Sequence, residues 1–123
     1  SFPYMLDNAK KPLCYVCEGE TDAITMSMNG FPAVGIPGAT NSRAIRKLVD
    51  VAKEYNTTLC IVPDDDKAGR DFFDRVMNMA AKEGLRIDRL GVRRGKDANE
   101  WYQLSGAEQF KKEVKEGREE AIR

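Results

Sequence analysis

Thr58-Leu59-Cys60-Ile61-Val62-Pro63-Asp64-Asp65-Asp66-Lys67-Ala68-Gly69-Arg70 decides how this chain folds. Its first five residues form a short apolar run of the kind that makes a buried strand. Pro63 and three consecutive carboxylates follow at once. From Lys67 the period changes, because Ala68, Phe72, Val76, Met79 and Ala80 share one helical face and Gly84 offers a C-terminal cap. Strand, acidic turn and amphipathic helix in that order belong to an α/β architecture.

The same order recurs on both sides. Further strands are expected at 13–17, 33–36 and 86–92, with helices in the gaps. One runs from about Thr21 to Asn29 and stops at Gly30; the next carries Ile45, Leu48, Val49 and Ala52 at helical spacing. After Asp97 a short helix holding Trp101 and Leu104 breaks at Ser105-Gly106, and a last amphipathic helix carries Phe110 and Val114. Residues 115–120, Lys-Glu-Gly-Arg-Glu-Glu, read as a solvated or frayed end. The expectation is one domain over 13–123, preceded by an irregular segment over 1–12, with a mainly parallel four-stranded sheet flanked by helices. Phe72, Phe73, Trp101 and Phe110 read as core.

Composition narrows the partners. Lys+Arg and Asp+Glu are equal at 20 each among 123 residues, so any nucleic-acid contact must be local rather than a bulk electrostatic footprint. No stretch is apolar for long enough to span a bilayer, and the first residues lack the basic and apolar regions of a signal peptide, so a cytoplasmic location is expected. The start without Met reads as a piece of a longer protein. Three cysteines and no histidine cannot complete a four-ligand zinc site. Cys14 and Cys17, three apart on one strand, point to opposite faces, and three reduced, buried thiols are expected.

The chemistry lies in acids placed just past strand ends, where open α/β sheets bind ligands. Glu18 follows the first strand, Gly19 permits a sharp turn, and Asp22 stands one helical turn on, either facing the same site or capping the helix. Asp64 and Asp66 are two apart, so in extended geometry both face one cation; the alternative is a solvated turn capping the helix from Lys67. Asp97 ends the segment after the fourth strand, beside Lys96, which is placed to touch phosphate, and Asn99, a candidate cap. Several carboxylates together repel without a cation, and Mg²⁺ suits hard oxygen ligands shared with substrate phosphate. The loop 37–42, with Gly38, is either a phosphate-binding turn or a plain N-cap. Among basic residues Lys67 and Arg70 stand nearest the acids.

Glu18-Gly19-Glu20-Thr21-Asp22, the Gly35-Ile36-Pro37-Gly38-Ala39 loop and Asp64-Asp65-Asp66-Lys67-Ala68-Gly69-Arg70 together resemble the Toprim domain of DnaG-type primases, type IA and II topoisomerases, OLD-family nucleases and RecR proteins. The resemblance covers nearly the whole chain. The Asp-x-Asp-x-Ala-Gly-Arg form is similar to the primase branch, and Lys96-Asp97-Ala98-Asn99-Glu100 resembles phage-type helicase-primases. It implies a Rossmann-like Toprim fold and a DNA primase, a nucleotidyltransferase that makes RNA primers on single-stranded DNA from nucleoside triphosphates beside a replicative helicase domain or protein. It implies Glu18 as the acid-base residue; Glu18, Asp64, Asp66 and Asp97 as ligands of Mg²⁺ or Mn²⁺, with Glu18, Asp64 and Asp66 catalytic; and Asp22, Gly38, Lys67, Arg70 and Lys96 as nucleotide or nucleic-acid contacts.

Asn99 stands where cellular DnaG primases often carry a second acid. A preceding basic subdomain, a zinc module and a Gly-Lys-Ser/Thr loop are missing from this sequence, so the piece is expected to be inactive alone. The rival readings are an OLD-like nuclease, a RecR-like module that binds DNA without catalysis, and a receiver domain, which lacks here its acidic pair and its lysine.

Overall fold

Alternation along the first strand divides the core in two. The structure, a computed structural model, describes residues 2–38 and 41–121. In β1 (Leu13–Glu18), Cys14 and Val16 pack with Val34, Ile36 and the apolar faces of α2 (Ser42–Tyr55) and α3 (Lys67–Lys82). Tyr15 and Cys17 face the other way, toward Ala23 and Met26 of α1 (Glu20–Met28), Trp101 of α4 (Ala98–Ser105) and Phe110 of α5 (Ala107–Ala121). Cys14, Cys17 and Cys60 are all buried and unpaired, with Cys14 on one face of the sheet and Cys17 on the other.

Four parallel strands stand in the order β2-β1-β3-β4, where β2 is Ala33–Ile36, β3 is Thr58–Val62 and β4 is Ile87–Arg89. From β1 the chain leaves through α1 to one side, and from β3 it leaves through α3 to the other. The strand order therefore reverses between β1 and β3, and a crevice opens beyond their carboxyl ends. Helix α2 is bound to the sheet by Ala44, Ile45, Leu48, Val49 and Ala52, all fully buried. Each of its large aliphatic side chains contributes about 1.5–3 kcal/mol by burial.

Three stretches differ from the sequence reading. β4 has three residues, not the seven of 86–92. Leu59 takes the Arg86 carbonyl and Leu90 donates to Ile61, so the next donor along β3 is Pro63, which has no N–H. The stretch 115–120 is the last part of α5 and is docked, not frayed. Gly117 lies so close to Leu90 that a Cβ would collide with its side chain, and Arg118 Nη1 stands 2.9 Å from Asp88 Oδ2. Within 1–12, Leu6–Lys10 form a 3-10 turn with Ala9 buried, and Tyr4 pairs antiparallel with Gly35 through bonds of 2.7 and 3.0 Å. That pairing covers part of the β2 edge.

Candidate metal centre

Every acid of interest leaves an element that the fold aims at the crevice. Glu18 is the last residue of β1, and Gly19 turns the chain into α1 with φ +84°, a conformation open to glycine. Gly35 of β2 lies against this turn, since a Cβ there would overlap the Gly19 carbonyl. Asp22 sits in the first turn of α1 and is only 6 % exposed. Asp64 follows β3, and its backbone is packed directly on Gly69 of α3, where any Cβ would collide with it. That approach is the physical reason for glycine within the Ala68-Gly69-Arg70 run. Asp97 is the N-cap of α4, with its Oδ1 accepting the Glu100 N–H at 2.8 Å, while Glu100 Oε1 accepts the N–H of Lys96, the residue before the cap, at 2.9 Å.

Asp22, Asp64 and Asp97 each offer one carboxylate oxygen, and the three oxygens lie within 4.8 Å of one another. Glu18 stands alongside, its Oε2 accepting the Asp64 N–H at 2.9 Å. Asp22 Oδ1 accepts the Asn99 N–H at 3.0 Å. Asp64 Oδ1 is buried and has no hydrogen-bond partner among the described residues. Burial, followed by the neighbouring charges of Glu18, Asp22, Asp97 and Asp66, pushes the Asp64 carboxyl up to about 7. Burial also raises Asp22 to about 6, against the Asn99 N–H, and raises Glu18. Three converging carboxylates, one with an unpartnered buried oxygen, fit a hard divalent cation, which would supply the missing partner and relieve the repulsion.

Asp66 stands apart from these three. Its Oδ1 accepts the Gly69 N–H at 2.6 Å as the N-cap of α3, and Lys96 Nζ lies 3.3 Å from its Oδ2. The Gly69 bond, with Lys96 behind it, holds its carboxyl below the ordinary value. Between Asp64 and Asp66 the chain turns, with the Asp66 N–H donating to the Asp64 carbonyl at 2.9 Å, and the oxygens that converge within 4.8 Å are those of Asp22, Asp64 and Asp97. Asp22, read from the sequence as either facing the strand-end site or capping α1 and implied by the resemblance to be a nucleotide contact, is the carboxylate that joins Asp64 and Asp97.

The basic residues are also distributed unevenly. Lys67 pairs with Asp71 at 3.2 Å and is exposed, and Arg70 is exposed on the same helix. Lys96 borders the acids through Asp66. Gly38 has φ +80° at the end of the β2 loop, whose Ala39 and Thr40 lie outside the described residues. Asn99 does not cap α4; its Oδ1 accepts the Thr25 hydroxyl at 3.0 Å. Thr25 is the participant that sequence reasoning missed. Its only signal is the i, i+3 spacing from Asp22 on one helix.

A model of the Toprim-like family matches residues 15–102, a span holding all four crevice acids. No curated protein sequence matches the chain. Among solved structures it is similar to a DnaG catalytic core, at 25 % identity and a TM-score of 0.62 over 89 % of this chain. It shares its fold with the E. coli primase catalytic core, at 24 % identity and a TM-score of 0.66 over 93 % of the chain. The same holds for the RNA polymerase domain of Mycobacterium tuberculosis primase DnaG in complex with a double-stranded DNA oligomer with a 6-nucleotide overhang, at 21 % identity and a TM-score of 0.62 over 92 % of the chain. The alignments cover only 36–38 % of those chains. With its parallel sheet of order β2-β1-β3-β4, its acids at the ends of β1 and β3 and at the start of α4, and the family match across all of them, the chain belongs to the Toprim-like family.

Proposed function

We propose that this chain is the Toprim catalytic domain of a DNA primase or helicase-primase, contributing the acids for RNA primer synthesis on single-stranded DNA as one part of a longer protein. The observation that carries the reading is the meeting of Asp22, Asp64 and Asp97 within 4.8 Å, with Asp64 Oδ1 left unpartnered. Toprim domains bind divalent metals, and the solved neighbours are primase catalytic cores. We take 13–123 as the Toprim unit, with 1–12 leading into it.

In this reading Asp22, Asp64 and Asp97 hold Mg²⁺ or Mn²⁺, which would neutralise phosphate charge and lower the barrier to attack by a 3′-hydroxyl. Glu18, beside Asp64 at the end of β1, is the acid-base residue and takes the proton of that hydroxyl. Asp66 serves behind Asp64 by fixing the start of α3, and its charge orients Lys96 toward the crevice. Lys96 and Arg70, with Lys67 further out, receive nucleotide or template phosphate, and the Gly38 loop borders the same opening. The partners are single-stranded DNA, nucleoside triphosphates and a replicative helicase domain or protein. No helix among the described residues is long and apolar enough to cross a membrane.

The test is nucleotidyl transfer. The protein carrying this domain, given Mn²⁺, a single-stranded template and labelled nucleoside triphosphates, is expected to form template-dependent oligoribonucleotides, and Glu18→Gln is expected to stop it. Strand scission in place of synthesis would mark the domain as a nuclease. Template binding with neither activity would mark it as a non-catalytic DNA-binding module.

A further inference from the structure

The third carboxylate of the centre comes from outside the sheet. Glu18 and Asp64 leave the two central strands, and Asp22 lies in the helix that follows β1 at once. Asp97 instead caps α4, eight residues beyond the end of β4. The Asp65 N–H donates to the Lys96 carbonyl at 2.7 Å and so ties the residue before Asp97 to the Asp64 turn, while the placement of Asp97 against Asp22 depends on how α4 is docked on α1.

On its outer side α4 is tied to α5. The buried Glu113 accepts Trp101 Nε1–H at 2.9 Å and the Ser105 hydroxyl at 3.1 Å, and it pairs with Arg94 at 2.8 Å. Toward α1 the tie is Asn99. Its N–H donates to Asp22 Oδ1 at 3.0 Å, and its Oδ1 accepts the hydroxyl of the buried Thr25 at 3.0 Å. The Thr25–Asn99 bond is the one side-chain to side-chain hydrogen bond between α1 and α4 among the described residues, and it joins positions 74 apart. It also engages the Asn99 oxygen, and as a neutral amide this residue adds no further negative charge to the four crevice acids.

We infer that Thr25, acting through Asn99, is a positioning residue that sets Asp97 against Asp22 and so tunes the affinity of the centre for a divalent cation. This rests on the metal-binding reading above. Groups that orient ligands from behind typically govern metal affinity by about 10–100-fold, and a single neutral bond belongs at the low end of that range.

The experiment is a Mn²⁺ titration of the full chain, read by calorimetry and by paramagnetic broadening of backbone amides, alongside thermal unfolding in EDTA. Thr25→Val is expected to weaken Mn²⁺ binding about tenfold. Broadening should fall at Asp97 and Ala98 more than at Asp64. Thr25→Ser, which keeps the hydroxyl, is expected to restore binding. Asn99→Ala removes the same bond from the other side while keeping the N–H to Asp22, so it should match Thr25→Val, and the double variant should lose no more than either single one. If the unmodified chain binds Mn²⁺ and both single variants bind it equally well, the inference is overturned, whatever happens to thermal stability. If the unmodified chain fails to bind Mn²⁺ at all, the metal-binding reading falls and takes the inference with it.

Discussion

Replacing Asp64 by Asn should make the metal-free domain more stable while abolishing its affinity for a divalent cation. Asp64 Oδ1 is buried without a partner, and Glu18, Asp22, Asp97 and Asp66 surround the carboxylate with like charge. Burial and those neighbours raise its pKa from 3.8 to about 7. Between 3.8 and about 7 the folded protein therefore holds a proton that the unfolded chain has lost. Stability from this group is full below 3.8, falls as the pH rises from 3.8 to about 7, and stays low above that. The whole displacement would bound the cost at about 4 kcal/mol, and because Asp64 is only half-buried and solvent screens its neighbours, about 1–2 kcal/mol is the expected remainder. For a domain of this size that corresponds to a rise in Tm of about 3–8 °C for Asp64→Asn at pH 8 in EDTA. The advantage should shrink as the pH is lowered toward 4. Adding Mg²⁺ or Mn²⁺ should raise the Tm of the unmodified chain in proportion to ligand binding and leave Asp64→Asn unmoved. A metal-free Asp64→Asn that is less stable than the unmodified chain at pH 8 would refute the reasoning, since it would mean that the carboxylate is satisfied as it stands.

Gly69→Ala should destabilise the domain by about 1–3 kcal/mol or more, because the new Cβ meets the Asp64 backbone; urea unfolding measures this, and a neutral result would show that α3 can shift freely. Gly35→Ala, which drives a Cβ into the Gly19 carbonyl, should carry a similar penalty and should weaken Mn²⁺ binding by displacing the turn behind Glu18. Glu113→Ala should cost about 2 kcal/mol by leaving the buried Trp101 N–H without its acceptor, with a red shift in Trp101 fluorescence as the marker. The Arg94 guanidinium, then Trp101, holds Glu113 down to about 2. Its contribution should therefore be present at neutral pH and be lost only in strong acid, as the pH falls through that value.

Much of the architecture is legible in the chain. Short apolar runs mark the four strands and helical spacing the five α-helices of the described residues, and alternation along β1 correctly sends Cys14 and Cys17 to opposite faces. The strand order is not, because parallel strands are joined by helices whose direction of crossing leaves no local mark. The end of β4 turns on Pro63 in a neighbouring strand, a pairing that cannot be known before the order is. The docking of α5 is announced only by Gly117, whose meaning appears once Leu90 is opposite it. At the centre, Glu18 and Asp64 stand where strand-end logic puts acids, whereas Asp97 enters from the N-cap of α4, eight residues past β4. Asp66 follows a different local rule, since the turn at which α3 begins uses its carboxylate as a cap. Asp22 was ambiguous in sequence because a first-turn acid suits a helix dipole as well as a ligand, and only the tertiary fold brings it to Asp64 and Asp97.

The central claim is that three carboxylates from three elements make one cation site, and the most direct measurement is a Mn²⁺ titration of the isotopically labelled chain followed amide by amide. The account predicts broadening that begins at Asp22, Asp64 and Asp97, with Glu18 close behind, and that disappears in Asp64→Asn. Broadening spread evenly over exposed acids such as Asp71 and Glu108, or centred on Asp66 and left intact by Asp64→Asn, would contradict it.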